Sequence, residues 1–164
     1  MSIEQLNADY SLDKQLSFDT GKGGFSFATI ANNNARAVIS LYGGQVLSYL
    51  PQAKARDLFF VSDKAYYQVG KAIKGGIPVC WPWFGPDPQS LGRSAHGFVR
   101  NRTWSVIGSA TTISGEPQLS LGLTDTPETQ AIWPYAFNLT LTITLGETLR
   151  LALTTRNTGE EKFS

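Results

Sequence analysis

The chain is poor in the residues that most often announce chemistry. Its 164 residues include one cysteine, Cys80, one histidine, His96, and one methionine, Met1. A lone cysteine cannot close an internal disulfide, and one histidine with one cysteine gives no zinc set, so neither a metal nor another cofactor is expected. Charge imbalance is missing as well. Fourteen Lys and Arg against 13 Asp and Glu leave a formal net charge of +1, too little to attract nucleic acid or an anionic membrane over any distance. No apolar run near Met1 reads as a signal peptide, and none reaches the ~20 residues of a membrane span. These absences predict a protein of the reducing cytoplasm, in which Cys80, between Val79 and Trp81, is a small buried hydrophobe. Any recognition of an anion has to be local.

What the chain has in quantity is β pattern. Phe137, Leu139, Leu141, Ile143 and Leu145 alternate with Asn138, Thr140, Thr142 and Thr144, the signature of a strand with one wet face. Gly146-Glu147 breaks the pattern, and Leu149, Leu151 and Leu153 resume it against Arg150 and Thr154 as a hairpin partner would. Shorter runs rich in β-branched and aromatic residues lie at 25–30, 37–42, 46–50, 58–61, 103–107 and 119–123, with turn clusters between them. Only residues 1–16 carry a weak helical pattern. The prediction is an all-β antiparallel sandwich in one domain, 1–164, since a chain of this size removes about 70% of its unfolded surface from water around a single core. After a turn at 157–161, Lys162-Phe163-Ser164 reads as the start of a further strand. The sandwich is therefore expected to be incomplete at its C-terminal end, with open edges that favour self-association.

Between Gly70 and Asn101 the alternation stops, because Pro78, Pro82, Pro86 and Pro88 forbid a paired central strand through most of it. Stiff connections of this length are uncommon in compact domains and are usually functional. In an extended conformation His96, Phe98 and Arg100 project from one side and Gly97 and Val99 from the other, which sets an imidazole beside a guanidinium. Arginine suits bidentate contact with phosphate or carboxylate, and Lys74 adds a second cation if the loop folds back. Trp81, Trp83 and Phe84 offer an apolar platform for the C–H face of a sugar ring.

Plainer readings stand beside these. His96 is equally a hydrogen-bonded loop residue, Lys74 a loop lysine, Arg100 and Arg102 solvated or paired with Asp87, and the aromatic rings core. Gly75-Gly76 lacks P-loop spacing and opens no helix, and no Ser-His-Asp arrangement is implied by spacing. Residue by residue, the chain is a β domain with a candidate anion or sugar pocket: an enzyme, a non-catalytic carbohydrate-binding module or an interaction domain.

Taken together, Lys74-Gly75-Gly76-Ile77-Pro78, Trp81-Pro82-Trp83-Phe84-Gly85-Pro86, His96-Gly97-Phe98-Val99-Arg100-Asn101 and Trp104 resemble the aldose 1-epimerase superfamily, and within it the glucose-6-phosphate 1-epimerase branch. The likeness extends from about Val38 to Phe137. It implies a galactose mutarotase-like supersandwich and interconversion of the α and β anomers of a hexose 6-phosphate. Mutarotation needs an acid at the ring oxygen and a base at the anomeric hydroxyl. In the family these are a histidine on a later strand and a glutamate further on. Neither position falls in this chain, so no catalytic residue is assigned to it, and alone it is expected to be inactive or nearly so. By resemblance His96 orients the substrate through its hydroxyls and Arg100 binds the phosphate. Lys74 assists where relatives commonly carry arginine, and Trp83 or Phe84 shapes the pocket.

Overall fold

The alternating sequences resolve, in a computed structural model that describes residues 1–163, into eight strands among the described residues. β1 (Leu16–Thr20), β2 (Ser26–Ala31), β3 (Ala35–Ser40) and β4 (Gln45–Pro51) form one antiparallel sheet in sequence order. A second antiparallel sheet, also in sequence order, contains β5 (Ser105–Thr111), β6 (Pro117–Thr124), β7 (Phe137–Leu145) and β8 (Leu149–Asn157). The two meanders face one another across one apolar core. Ala28, Ile30, Ala37 and Ile39 come from the first sheet, and Leu119, Leu121, Leu139 and Ile143 from the second. Each is fully buried, and full burial of an Ile or Leu side chain contributes about 1.5–3 kcal/mol.

Register explains why β7 and β8 differ so much in exposure. Leu141, Ile143 and Leu145 pair directly with Leu153, Leu151 and Leu149, so the apolar faces of the two strands coincide. Yet β7 is buried at every second position, whereas Leu149 and Leu151 are only half-buried and Leu153 is exposed. β8 is the edge strand of its sheet, and most of its residues are exposed.

Helix α1 (Ile3–Tyr10) lies where the weak helical pattern predicts one, with the Ser2 hydroxyl accepting from the Gln5 N–H at its start. It buries Leu6, and the Asn7 amide grips both backbone groups of Phe18, which covers the open edge of β1. No helix among the described residues is long and apolar enough to cross a membrane.

Two expectations about local structure are corrected. Residues 58–61 form no strand, and Val61 makes only an isolated bridge to Gly75. Asp57 causes this: its carboxylate accepts from the Tyr49 and Phe59 N–H groups and from the Ser48 hydroxyl, turning the chain back on β4 and leaving Phe60 in solvent. Burial pushes the Asp57 carboxyl up, but those three donors outweigh it and hold the group below its ordinary value. The run 96–100 is not extended either, as described below. Of the further strand expected at 162–164, Lys162 and Phe163 are irregular and Ser164 lies outside the described residues.

Candidate functional site

The strand turns collect at two ends of the sandwich. One end gathers the β2–β3, β5–β6 and β7–β8 turns, and two clefts, of ≈ 910 and ≈ 580 Å³, open there around residues such as Asn32, Glu116 and Arg150 or Arg36 and Pro51. The other end gathers the β3–β4 turn, the 70–104 segment and the stretch between β6 and β7. All five residues singled out in the sequence lie in that 70–104 segment, and none of them lines either cleft.

The loop from Trp81 to Phe98 closes on itself as a ring of short contacts. The N–H of His96 donates to the Gly85 carbonyl at 2.7 Å, and the Gly85 N–H returns to His96 Nδ1 at 3.1 Å. The Phe98 N–H bonds the Trp81 carbonyl, and Gly97 makes a parallel bridge with Trp81. Gly97 has φ +70°, and a Cβ there would collide with the Trp81 carbonyl, so only glycine fits. Accepting a bond at Nδ1 requires the neutral imidazole with its proton on Nε2. That N–H has no hydrogen-bond partner among the described residues. His96 itself sits at φ +66°, a backbone position that costs a non-glycine residue about 1–2 kcal/mol and that concentrates at functional sites.

The Arg100 guanidinium reaches the backbone next to His96, though not by strand alternation. Phe98 is 4% exposed and Val99 fully buried, and residues Val99–Asn101 form a 3-10 turn. Phe98 is thus core rather than a neighbour of His96 on a shared face. The turn carries Arg100 back, and its Nη2 donates to the carbonyl of Ala95 at 2.8 Å, immediately before His96. Arg100 Nε is buried without a partner. Arg102 pairs instead with Glu128, and the expected partner of Asp87 is neither Arg100 nor Arg102 but Arg93.

The Asp87–Arg93 pair braces the aromatic platform. With side chains 6% and 11% exposed, Asp87 accepts from Arg93 Nε and Nη2 and from the N–H groups of Gln89, Leu91 and Arg93. The Arg93 guanidinium holds the Asp87 carboxyl well below the usual carboxylate range. The same guanidinium lies 4.4 Å over the Trp83 ring, while Trp83 Nε1 donates to the Ser94 carbonyl. One face of Trp83 is therefore already taken by Arg93. Trp81 is not a platform: it packs against Trp133, Phe137, Phe98 and Phe163. Phe84 is the open ring, 82% exposed and edge-on to His96 at 4.8 Å. Cys80 is half-buried.

Lys74 is exposed, and its carbonyl accepts from the Ser62 N–H. Its segment and that of Arg100 dock on one turn, residues 41–45. The Tyr42 hydroxyl accepts from Gly70, Gly43 donates to the Arg102 carbonyl at 2.7 Å, and the Gln45 amide donates to the carbonyls of Ile73 and Gly75. The sequence assigns neither Gln45 nor Arg93 a role at the site. Asp87-Pro88 carries a turn signal that points to the aspartate, but nothing local to Arg93 or Gln45 announces their partners.

Comparison with known proteins agrees with this fold. The family model described as aldose 1-epimerase matches residues 26–164. A curated relative from Escherichia coli named "Putative glucose-6-phosphate 1-epimerase" is 37% identical over 118 residues, 72% of this chain and 39% of that protein. One of the same name from Cenchrus ciliaris is 38% identical over 139 residues, covering 80% of this chain and 41% of its own length. The crystal structure of a "putative mutarotase" from Salmonella typhimurium superposes with a TM-score of 0.80 at 27% identity, over 94% of this chain and 52% of that one. A galactose mutarotase-like protein from Clostridium acetobutylicum, at 14% identity and a TM-score of 0.62, shares the fold over 92% of this chain and 50% of its own. The chain thus spans about two-fifths of the length of the curated relatives it matches. With the family's pattern running from β2 through the His96 ring to the last residue, this chain belongs to the aldose 1-epimerase family.

Proposed function

We propose that residues 1–164 supply the substrate-holding part of a hexose-6-phosphate mutarotase. The observation that carries this reading is the His96–Arg100 arrangement: a neutral imidazole presenting Nε2–H beside a guanidinium anchored on Ala95, with the Phe84 ring against the imidazole. A pyranose resting its C–H face on Phe84 accepts a hydrogen bond from Nε2–H through a ring hydroxyl. Its 6-phosphate then takes the remaining donors of Arg100, with the Lys74 ammonium as a second, more weakly directional charge. Trp83, held by Arg93, forms the wall behind Phe84 rather than a second stacking face.

Anomerisation proceeds by protonating the ring oxygen, deprotonating the anomeric hydroxyl, opening the ring, rotating the carbonyl end and reclosing it. Each proton-transfer group contributes typically about 10²–10⁴-fold. His96 is the only histidine of the 164 residues, and its Nδ1 is engaged by Gly85, which suits holding a hydroxyl and not shuttling protons. The acid and base of the family pattern fall outside this stretch, so the chain alone binds substrate without turning it over. We take 1–164 as one folding unit in a reducing cytoplasm, with no nucleic-acid or membrane partner. Its exposed β8 edge is a route to self-association, read by sedimentation.

Anomer exchange of glucose 6-phosphate, followed by magnetisation-transfer NMR with this chain, tests the division of labour. Exchange at the spontaneous rate, with binding intact, is expected; robust turnover would place the acid and base within these residues and contradict the assignment.

A further inference from the structure

Among the described residues, Gln45 is the one large polar side chain sealed at the functional end. It is 0% exposed, opens β4, and stands opposite Ser40 in the register. Its Nε2 donates to the carbonyls of Ile73, at 3.3 Å, and Gly75, the two residues that flank Lys74. Its Oε1 is buried with no partner, as is Ser40 Oγ. A buried acceptor left unmade is destabilising, and an apolar side chain of equal length would remove it only by taking the donor from the Ile73 and Gly75 carbonyls. The unmade acceptor offsets part of what the two hydrogen bonds contribute to the fold, so the specific thing an amide supplies here is the grip on the two carbonyls.

Those carbonyls fix the peptide frame from which Lys74 projects. Ile73 is buried on one side, the Gly76 N–H bonds Phe60, and Lys74 stands exposed between the two carbonyls that Gln45 holds. Two residues earlier in the same turn, Gly43 has φ +84°, and a Cβ there would stand 2.9 Å from the Arg100 carbonyl. One rigid turn thus carries the backbone of both cations.

We propose that Gln45 is a positioning residue that sets the Lys74 ammonium relative to the Arg100 guanidinium, and thereby the selectivity of the site for phosphorylated over neutral sugars. This rests on the substrate reading above. The test is a double-mutant cycle in the full chain, titrating glucose 6-phosphate and glucose against wild type, Gln45→Met, Lys74→Met and the double variant. Gln45→Met is expected to weaken glucose 6-phosphate by about tenfold, leave glucose unchanged, and lower the melting temperature modestly, since two carbonyls lose their donor. In the Lys74→Met background it should have no further effect. Equal losses for both sugars, or a full loss that persists without Lys74, would overturn the proposal. Gln45→Asn, which keeps an amide too short to reach, gives the same pattern if the methionine variant does not fold.

Amide exchange separates this from failure of the functional reading. Should wild type not distinguish the two sugars, that reading falls and the selectivity claim with it. Exchange at Ser62 and Gly76 then decides the positioning alone: acceleration confined to these groups in Gln45→Met supports it, and unchanged exchange overturns it.

Discussion

The sandwich and the 70–101 segment are held by opposite means. In the sheets, ladders of backbone bonds and a continuous apolar core specify position, so many residues share each task. In the segment, without regular strands, a handful of polar side chains does the same work: His96 on Gly85, Asp87 on Arg93, Gln45 on Ile73 and Gly75. Redundancy makes the first region stable. Its absence makes each brace of the second a point at which geometry, and with it recognition, is set by one residue.

That contrast predicts separable effects. The largest belongs to the core: Ile143→Ala, at a fully buried position of β7, should lose about 2–5 kcal/mol of unfolding free energy, read as a shift of the urea midpoint. A shift of only a few tenths would mean that the loop braces, and not the sheets, dominate stability. Next comes Arg100→Ala, expected to weaken glucose 6-phosphate by about 2 kcal/mol, roughly thirtyfold, with the urea midpoint little changed. A parallel loss of both would collapse the distinction between the two regions.

The Asp87 brace sharpens the comparison through pH. Its folded-state carboxyl lies well below the unfolded value of about 3.9, so its contribution is complete above that value and is lost as pH falls toward the depressed one. Wild-type loop protection against proteolysis should therefore persist from pH 7 down to about 4, whereas Asp87→Asn should show a looser loop across the whole range. Identical digestion of the two would show that Arg93 and Trp83 hold the loop unaided. The smallest effect is expected from Lys74→Arg, which restores a planar fork and should tighten glucose 6-phosphate by about two- to threefold in titration.

The sheets were legible because period-two alternation is a local property. β7 is bounded as its Phe137-to-Leu145 pattern indicates, and β2, β3, β4 and β6 lie within two residues of their expected ends, whereas β5 starts two residues later than the 103–107 run and continues to Thr111. β1 escaped because Leu16-Ser17-Phe18 is short and follows a helix. Helix α2 (Pro127–Ile132) escaped although Thr126-Pro127 is a readable start signal, with Thr126 capping Thr129. The run 58–61 has strand propensity that the grip of Asp57 overrides.

At the candidate site, the residue types were legible and the geometry was not. His96 and Arg100 were marked by motif, but alternation placed them together for the wrong reason. A left-handed His96 and Gly97 and the following 3-10 turn do it, and those depend on the distant Trp81 and Gly85 carbonyls. Arg93 and Gln45 act through contacts closed only when the loop returns to the sheet. No spacing rule encodes such contacts.

The central claim is that the braced loop recognises a sugar phosphate through Arg100 and His96. Calorimetric titration of this chain with glucose 6-phosphate and with glucose tests it most directly. The account predicts at least about tenfold tighter binding of the phosphorylated sugar, abolished in Arg100→Ala; equal affinity for the two sugars, or a preference that survives loss of Arg100, would contradict it.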